Sequence, residues 1–209
     1  MNINILKYGY GSGNILSLIN SLRKCKSNLN INFSNKLEDI NKSEILILPG
    51  VGSFDYAMNN LKKNKIDKFI SEIIKKKEKK ILGICLGMQI LFESSDEGKV
   101  KGLSIFKGNV KNINHKIRYK TNFGWHQIIT NKNKLLNNKY FYFAHSYYVD
   151  SKIDFDRAYS IVDKFKLTTY IKKNNVYGVQ FHPEKSSSTG LEFFHNFLSG
   201  KIWKKKNLQ

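Results

Sequence analysis

The chain has 209 residues, 41% of them hydrophobic, enough for one sizeable core, so one domain over residues 1–209 is expected. No apolar run reaches the roughly 18 residues of a membrane helix, no basic-apolar-small leader pattern opens the chain, and Cys25 and Cys85 are too few for a disulfide framework. The net charge of +20 rests on lysine, with Arg23, Arg118 and Arg157 the only arginines, so the arginine forks that read nucleic acid are missing.

Ile3 to Leu6 opens as a strand. Gly9 to Gly13 makes a turn, and Asn14 caps a helix whose apolar positions Ile15, Leu18, Ile19 and Leu22 keep helical spacing. Ile31 to Phe33 and Ile45 to Leu48 are further strands. Helical pattern covers Asp55 to Lys62 and Ile66 to Lys76, and the lysine run Lys75 to Lys80 reads as a solvated helix end before the strand Ile81 to Ile84. From Val110 onward shorter β-like runs follow at Gln127 to Thr130, Tyr140 to Phe143, Ala158 to Val162, Leu167 to Ile171 and Val176 to Gln180. A helix from Gly190 to Leu198 closes the pattern, and Lys204 to Gln209 reads as a frayed end. Alternating strands and helices in the first half predict an α/β fold, a central, largely parallel sheet flanked by helices with added β strands.

Three segments carry chemistry. Gly83-Ile84-Cys85-Leu86-Gly87-Met88-Gln89 sits where an apolar strand gives way to a helix, as in a nucleophile elbow with cysteine in the place of serine. Such a turn needs small flanking residues, and a helix N-terminus favours a thiolate and offers backbone N–H groups to an oxyanion. A buried structural cysteine flanked by chance glycines is the competing reading. Tyr177 to Lys185 supplies His182, which titrates in the range a thiol's base requires, and Glu184, which can accept the other ring N–H and fix the tautomer. Ile45 to Gly52 runs a strand into a glycine-bracketed loop, as an oxyanion hole or an ordinary strand-to-helix turn would. The chain has two prolines, Pro49 and Pro183, and both fall inside these segments.

In this order, each at a strand end, the three segments resemble the class I, or triad, glutamine amidotransferases. The finer resemblance is to the glutaminase subunits of imidazole glycerol phosphate synthase. It extends over nearly the whole chain through Tyr10 to Ile15, Pro49 to Gly52, Gly83 to Phe92, Gly102-Leu103, Gly124-Trp125, Tyr142 to Tyr147 and Gly178 to Ser186. The resemblance implies Cys85 as nucleophile, His182 as base and acid, and Glu184 as its orienting partner. It implies backbone N–H groups of Val51 and Leu86 as the oxyanion hole, and Gln89, Glu97, Ser146 and Tyr147 around the substrate glutamine. Asn14, Trp125, Tyr142 and Lys185 match positions that face a barrel-shaped cyclase subunit in a heterodimer, where ammonia is passed on for L-histidine biosynthesis. No metal or organic cofactor is implied, nor any nucleic-acid or membrane partner, and the expected location is cytoplasmic.

One departure stands out. The family's Pro-His-Met-Gly-Trp-Asn reads Thr121-Asn122-Phe123-Gly124-Trp125-His126 here, which leaves open a paralogue serving a sugar-amidating synthase of surface polysaccharide. A nucleotide-binding module around Gly9 to Gly13 is the reading from another class. It lacks the spaced glycines of a dinucleotide turn and an acidic residue after the second strand, which ends at Ser34 and Asn35.

Overall fold

The structure, a computed structural model, describes residues 1–8, 13–50, 52–152 and 156–200, with backbone alone at 13 and 14. In chain order it runs β1 (Asn2–Ile5), α1 (Gly13–Cys25), β2 (Asn30–Phe33), α2 (Leu37–Lys42), β3 (Ile45–Leu48), α3 (Phe54–Lys63), α4 (Ile66–Lys76), β4 (Lys80–Ile84) and the one-turn α5 (Leu86–Gln89). It continues through β5 (Ser94–Ser95), β6 (Asn109–Asn112), β7 (Asn122–Gln127), β8 (Tyr140–His145), β9 (Tyr147–Asp150), β10 (Asp156–Val162), β11 (Phe165–Lys173) and β12 (Val176–Val179). A 3-10 turn (Pro183–Lys185) and α6 (Ser187–Ser199) follow.

The central sheet has the order β10-β11-β12-β4-β3-β1-β2. Its members β2, β1, β3, β4 and β12 pair in parallel, and β11 and β10 extend it antiparallel. Strands covered on both faces must be apolar without alternation, which is why Ile45 to Leu48 reads as one unbroken run. The two-residue period then splits the run between two cores. Ile45, Ile47, Leu82 and Ile84 pack with Ile15, Leu18 and Leu22 of α1 and with Phe193, Phe194 and Phe197 of α6. Leu46, Leu48 and Ile81 pack on the other face with Phe54, Ala57, Met58 and Leu61 of α3 and Ile66, Ile70 and Ile73 of α4. Each fully buried Leu, Ile or Phe stabilises the fold by roughly 1.5–3 kcal/mol relative to an exposed one. Two small sheets, β5-β6-β9 and the hairpin β7-β8, lie beyond this layer. No helix among the described residues is long and apolar enough to cross a membrane.

The structure corrects three of the expected elements. The strand placed at Gln127 to Thr130 is instead β7, Asn122–Gln127, and beyond it Ile129 makes only an isolated bridge to Tyr159. The cause is an inverted pattern: Asn122 is buried while Phe123 and Trp125 are exposed, so the apolar residues of β7 mark its outer face. The helix after Cys85 is a single turn, and α6 starts at Ser187 rather than Gly190. Of the predicted turn, residues 9–12 lie outside the described residues, as do Lys204 to Gln209.

Close backbone approach fixes the junction of β3, β4 and α5. A Cβ on Gly87 would stand 1.9 Å from the Leu48 carbonyl oxygen, and one on Gly83 would stand 2.3 Å from the Gly87 carbonyl oxygen. These neighbours are backbone and cannot swing aside. Gly87→Ala is therefore expected to destabilise the protein by about 3 kcal/mol or more, measured as a lower urea midpoint; a midpoint equal to the wild type's would mean the junction is looser than described.

Candidate active site

The carboxyl ends of β3, β4 and β12 lie side by side, and each delivers one of the three segments. Leu48 of β3 pairs with Gly83 of β4, and Val179 of β12 pairs with Ile84, so the residues that follow these strands must converge. Cys85 sits between β4 and α5 with φ 49° and ψ −105°. A cysteine in that conformation costs on the order of 1–3 kcal/mol, which the surrounding packing has to supply. Its N–H donates to the Val179 carbonyl at 2.7 Å, and a Cβ on Gly50 would come within 2.7 Å of the Cys85 Cβ. The Pro49 segment is pinned in turn by Tyr8, whose buried hydroxyl donates to the Pro49 carbonyl at 2.7 Å.

His182 is held from several sides. Its N–H donates to the Tyr142 carbonyl at 2.9 Å, and its own carbonyl accepts from the Ser186 hydroxyl at 2.7 Å. Ser186 also accepts from the Tyr142 N–H, tying β8 to the turn. The ring Nδ1 donates to Glu184 Oε1 at 2.8 Å, and the two side chains are only 5% and 4% exposed. Burial pulls the imidazole down, but the charge and hydrogen bond of Cys85, followed by those of Glu184, outweigh it and push His182 up to about 10. At neutral pH the imidazolium is thus the favoured form, between a sulfur and a carboxylate.

A cavity of about 330 Å³ opens beside Cys85, lined by Cys85 and Leu86 and by all four residues expected around the substrate, Gln89, Glu97, Ser146 and Tyr147. The amide nitrogen of Gln89 donates to the Tyr147 carbonyl at 3.3 Å and to Gln180 Oε1 at 3.2 Å. Glu97 has a second task, since its Oε2 accepts the Phe54 N–H at 2.9 Å and caps α3, where Ser53 makes no side-chain cap. Burial raises the Glu97 carboxyl, the Phe54 N–H opposes this, and the Asp55 charge adds to it. Val51 lies outside the described residues, and of Asn14 only the backbone is described. Among the described residues, no three His, Cys, Asp or Glu side chains gather where they could hold a metal ion.

Three of the four residues expected to face a partner, Trp125, Tyr142 and Lys185, lie together. The Trp125 and Phe123 rings meet Tyr142 edge-on at 6.1 and 5.5 Å, and the Lys185 ammonium lies 5.9 Å from the Tyr142 ring. Phe123 and Trp125 are 69% and 47% exposed, as an apolar patch awaiting another surface would be.

Sequence reasoning assigned no role to His145 or Asn122. His145 is buried, with Nδ1 2.8 Å from the Tyr147 carbonyl and Nε2 2.8 Å from Asn122 Nδ2. A carbonyl only accepts, so Nδ1 carries the proton and Nε2 accepts from the Asn122 amide. Burial brings His145 down to about 4, with the Tyr147 carbonyl opposing and the His182 charge adding to the effect. It is a neutral support of the cavity wall, and no local pattern could have separated it from His182.

The geometry has a counterpart among known proteins. Residues 8–200 match the family described as Glutamine amidotransferase class-I. The chain belongs to that family. This amidotransferase is 39% identical over 197 residues to the imidazole glycerol phosphate synthase subunit HisH 2 of Methanococcus maripaludis, covering 90% of this chain and 96% of that protein. It is 41% identical over 196 residues to the imidazole glycerol phosphate synthase subunit HisH of Prochlorococcus marinus subsp. pastoris, covering 90% and 94%. A solved structure described as a glutamine amidotransferase superposes with a TM-score of 0.73 at 14% identity, over 95% of this chain and 98% of that one, which speaks for the fold alone.

The pair His182–Glu184 generates a pH prediction. A histidine held at about 10 in the fold, against an ordinary 6.5, contributes stability that is complete below pH 6.5 and is lost as pH rises through about 10. Glu184→Gln removes part of that contribution. Urea titrations are expected to show the wild type more stable than the variant at neutral pH, with the gap closing towards pH 10, and glutaminase kcat lower on the order of 10²-fold. A gap that is constant with pH would separate Glu184 from the charge on His182.

Proposed function

We propose that this amidotransferase is the glutaminase subunit of imidazole glycerol phosphate synthase, with residues 1–209 acting as one domain in the cytoplasm beside a barrel-shaped cyclase subunit. One observation carries the chemistry: a cysteine at a strained strand-to-helix turn, lining a cavity and electrostatically coupled to a histidine that is itself anchored on a buried carboxylate. The names carried by relatives that match over nine-tenths of the chain support the pathway, L-histidine biosynthesis, and do not favour a sugar-amidating partner.

In this reading Gln89, Glu97, Ser146 and Tyr147 hold L-glutamine with its carboxamide over Cys85. The thiolate attacks the carboxamide carbon, and the N–H groups of Val51 and Leu86 receive the developing oxyanion. The C–N bond breaks as His182 gives its proton to the leaving nitrogen, so ammonia departs and a thioester remains. A water then yields its proton to His182 and attacks the thioester, which releases glutamate and restores the thiolate–imidazolium pair. Glu184 keeps the ring oriented throughout. Ammonia passes to the cyclase across the face that carries Trp125, Tyr142 and Lys185, to be built into imidazole glycerol phosphate, with Asn14 the fourth residue expected to meet the partner.

Two measurements test this. Cys85→Ala is expected to lower glutamine-dependent synthesis by several orders of magnitude while the partner's ammonia-dependent synthesis continues. The chain, supplied with its own genome's cyclase, is expected to restore growth without histidine to an auxotroph lacking its glutaminase subunit. Equal loss of both activities would make Cys85 structural, and failure to restore growth despite good expression would remove the pathway assignment.

A further inference from the structure

Gln180 is 0% exposed and lies one residue beyond β12, beside Cys85, which lies one residue beyond β4. The parallel register that pairs Val179 with Ile84 makes the two neighbours. Its side-chain nitrogen stands 3.5 Å from the Cys85 sulfur, and its oxygen accepts the Gln89 amide at 3.2 Å.

The direction of these bonds follows from the groups themselves. The Tyr147 carbonyl can only accept, so the end of Gln89 that faces it is the nitrogen. That same nitrogen faces Gln180, so the end of Gln180 that meets it is the oxygen, and the N–H₂ end is left pointing at sulfur. A thiolate accepts a hydrogen bond better than a thiol does, so a buried neutral donor aimed at sulfur favours the ionised form.

We propose that Gln180 is a second donor to the nucleophile besides His182: its amide holds the Cys85 sulfur as thiolate in the attacking rotamer and links it, through Gln89, to the Tyr147 carbonyl on the cavity wall. The two donors differ in use. His182 surrenders its proton in the reaction, whereas the Gln180 amide keeps its protons and stays in place through both halves of the cycle. The chain Tyr147–Gln89–Gln180–Cys85 also means that a substrate touching Gln89 or Tyr147 touches a group coupled to the sulfur. The backbone of Gln180 is anchored separately, its N–H donating to Thr169 at 2.9 Å, so the side chain's links are additional to what the strand needs.

This inference rests on Cys85 being the nucleophile, and the test separates the two. Gln180→Met keeps length and removes the donor; Gln180→Glu keeps shape and places a carboxyl group there. Each full-length variant is reacted with iodoacetamide across a pH series, with alkylation followed at the Cys85 and Cys25 peptides by mass spectrometry and folding followed by thermal melting. The pH of half-maximal Cys85 alkylation is expected to rise by about one unit in Gln180→Met and further in Gln180→Glu, with the Cys25 profile unchanged and glutaminase kcat lowered about tenfold. Should Gln180→Met not fold, Gln180→Leu, which removes the donor without adding a charge, carries the test. A folded variant with a lowered melting temperature but a wild-type Cys85 profile would reduce Gln180 to packing and overturn the proposal. Retained glutaminase activity in Cys85→Ala would instead overturn the nucleophile assignment itself.

Discussion

Everything at this site depends on how the backbone is held at Cys85. A residue with φ 49° and ψ −105° persists only if its surroundings leave no alternative, and here backbone stands against backbone. Gly83 lies against Gly87, Gly87 against Leu48, and Gly50 against Ile84 and Cys85 itself. Any side chain at these glycines would push β3, β4 and α5 apart. The same contacts that force the turn therefore bring the Pro49 loop and Cys85 together, and the parallel pairing of β4 with β12 sets His182 on the other side. A parallel sheet gathers the ends of neighbouring strands on one edge, which lets residues distant in sequence share one cavity.

Electrostatics then divides the labour between two buried histidines. His182 faces a sulfur and a carboxylate and is pushed up to about 10; His145 faces a carbonyl and an amide and is brought down to about 4. Both are buried, so burial alone does not decide their charge. The partners decide it. One ring holds its proton at neutral pH, and the other stays neutral and braces the 144–147 segment beneath the cavity without adding a second positive charge.

The outer surface separates two kinds of contact. Most of the +20 charge lies on scattered lysines, and three exposed aromatic rings, Phe123, Trp125 and Tyr140, lie on the β7-β8 hairpin, with Trp125 and Phe123 beside Tyr142. The hairpin also contributes Asn122 and His145 to the interior. The inner side of this hairpin thus joins Asn122 and His145 at the cavity to the buried rings of Phe141 and Phe143 in the core, while Phe123, Trp125 and Tyr140 stand exposed.

The sequence by itself determined the features whose physics is local. Apolar runs long enough for buried strands, glycines bracketing Cys85, and His182 two residues before Glu184 are read without a structure, because sterics and short-range hydrogen bonding act within a few residues. Only the tertiary structure decided which distant groups meet: Glu97 capping α3, Asn122 donating to His145, and Gln180 bridging Gln89 to the Cys85 sulfur. It also decided where β7 runs, since an exposed aromatic face and a buried asparagine carry the opposite of a strand's usual sign. These are hydrogen bonds and surfaces between segments many residues apart, and their partners are chosen by strand order and register, which no periodicity in a single segment encodes.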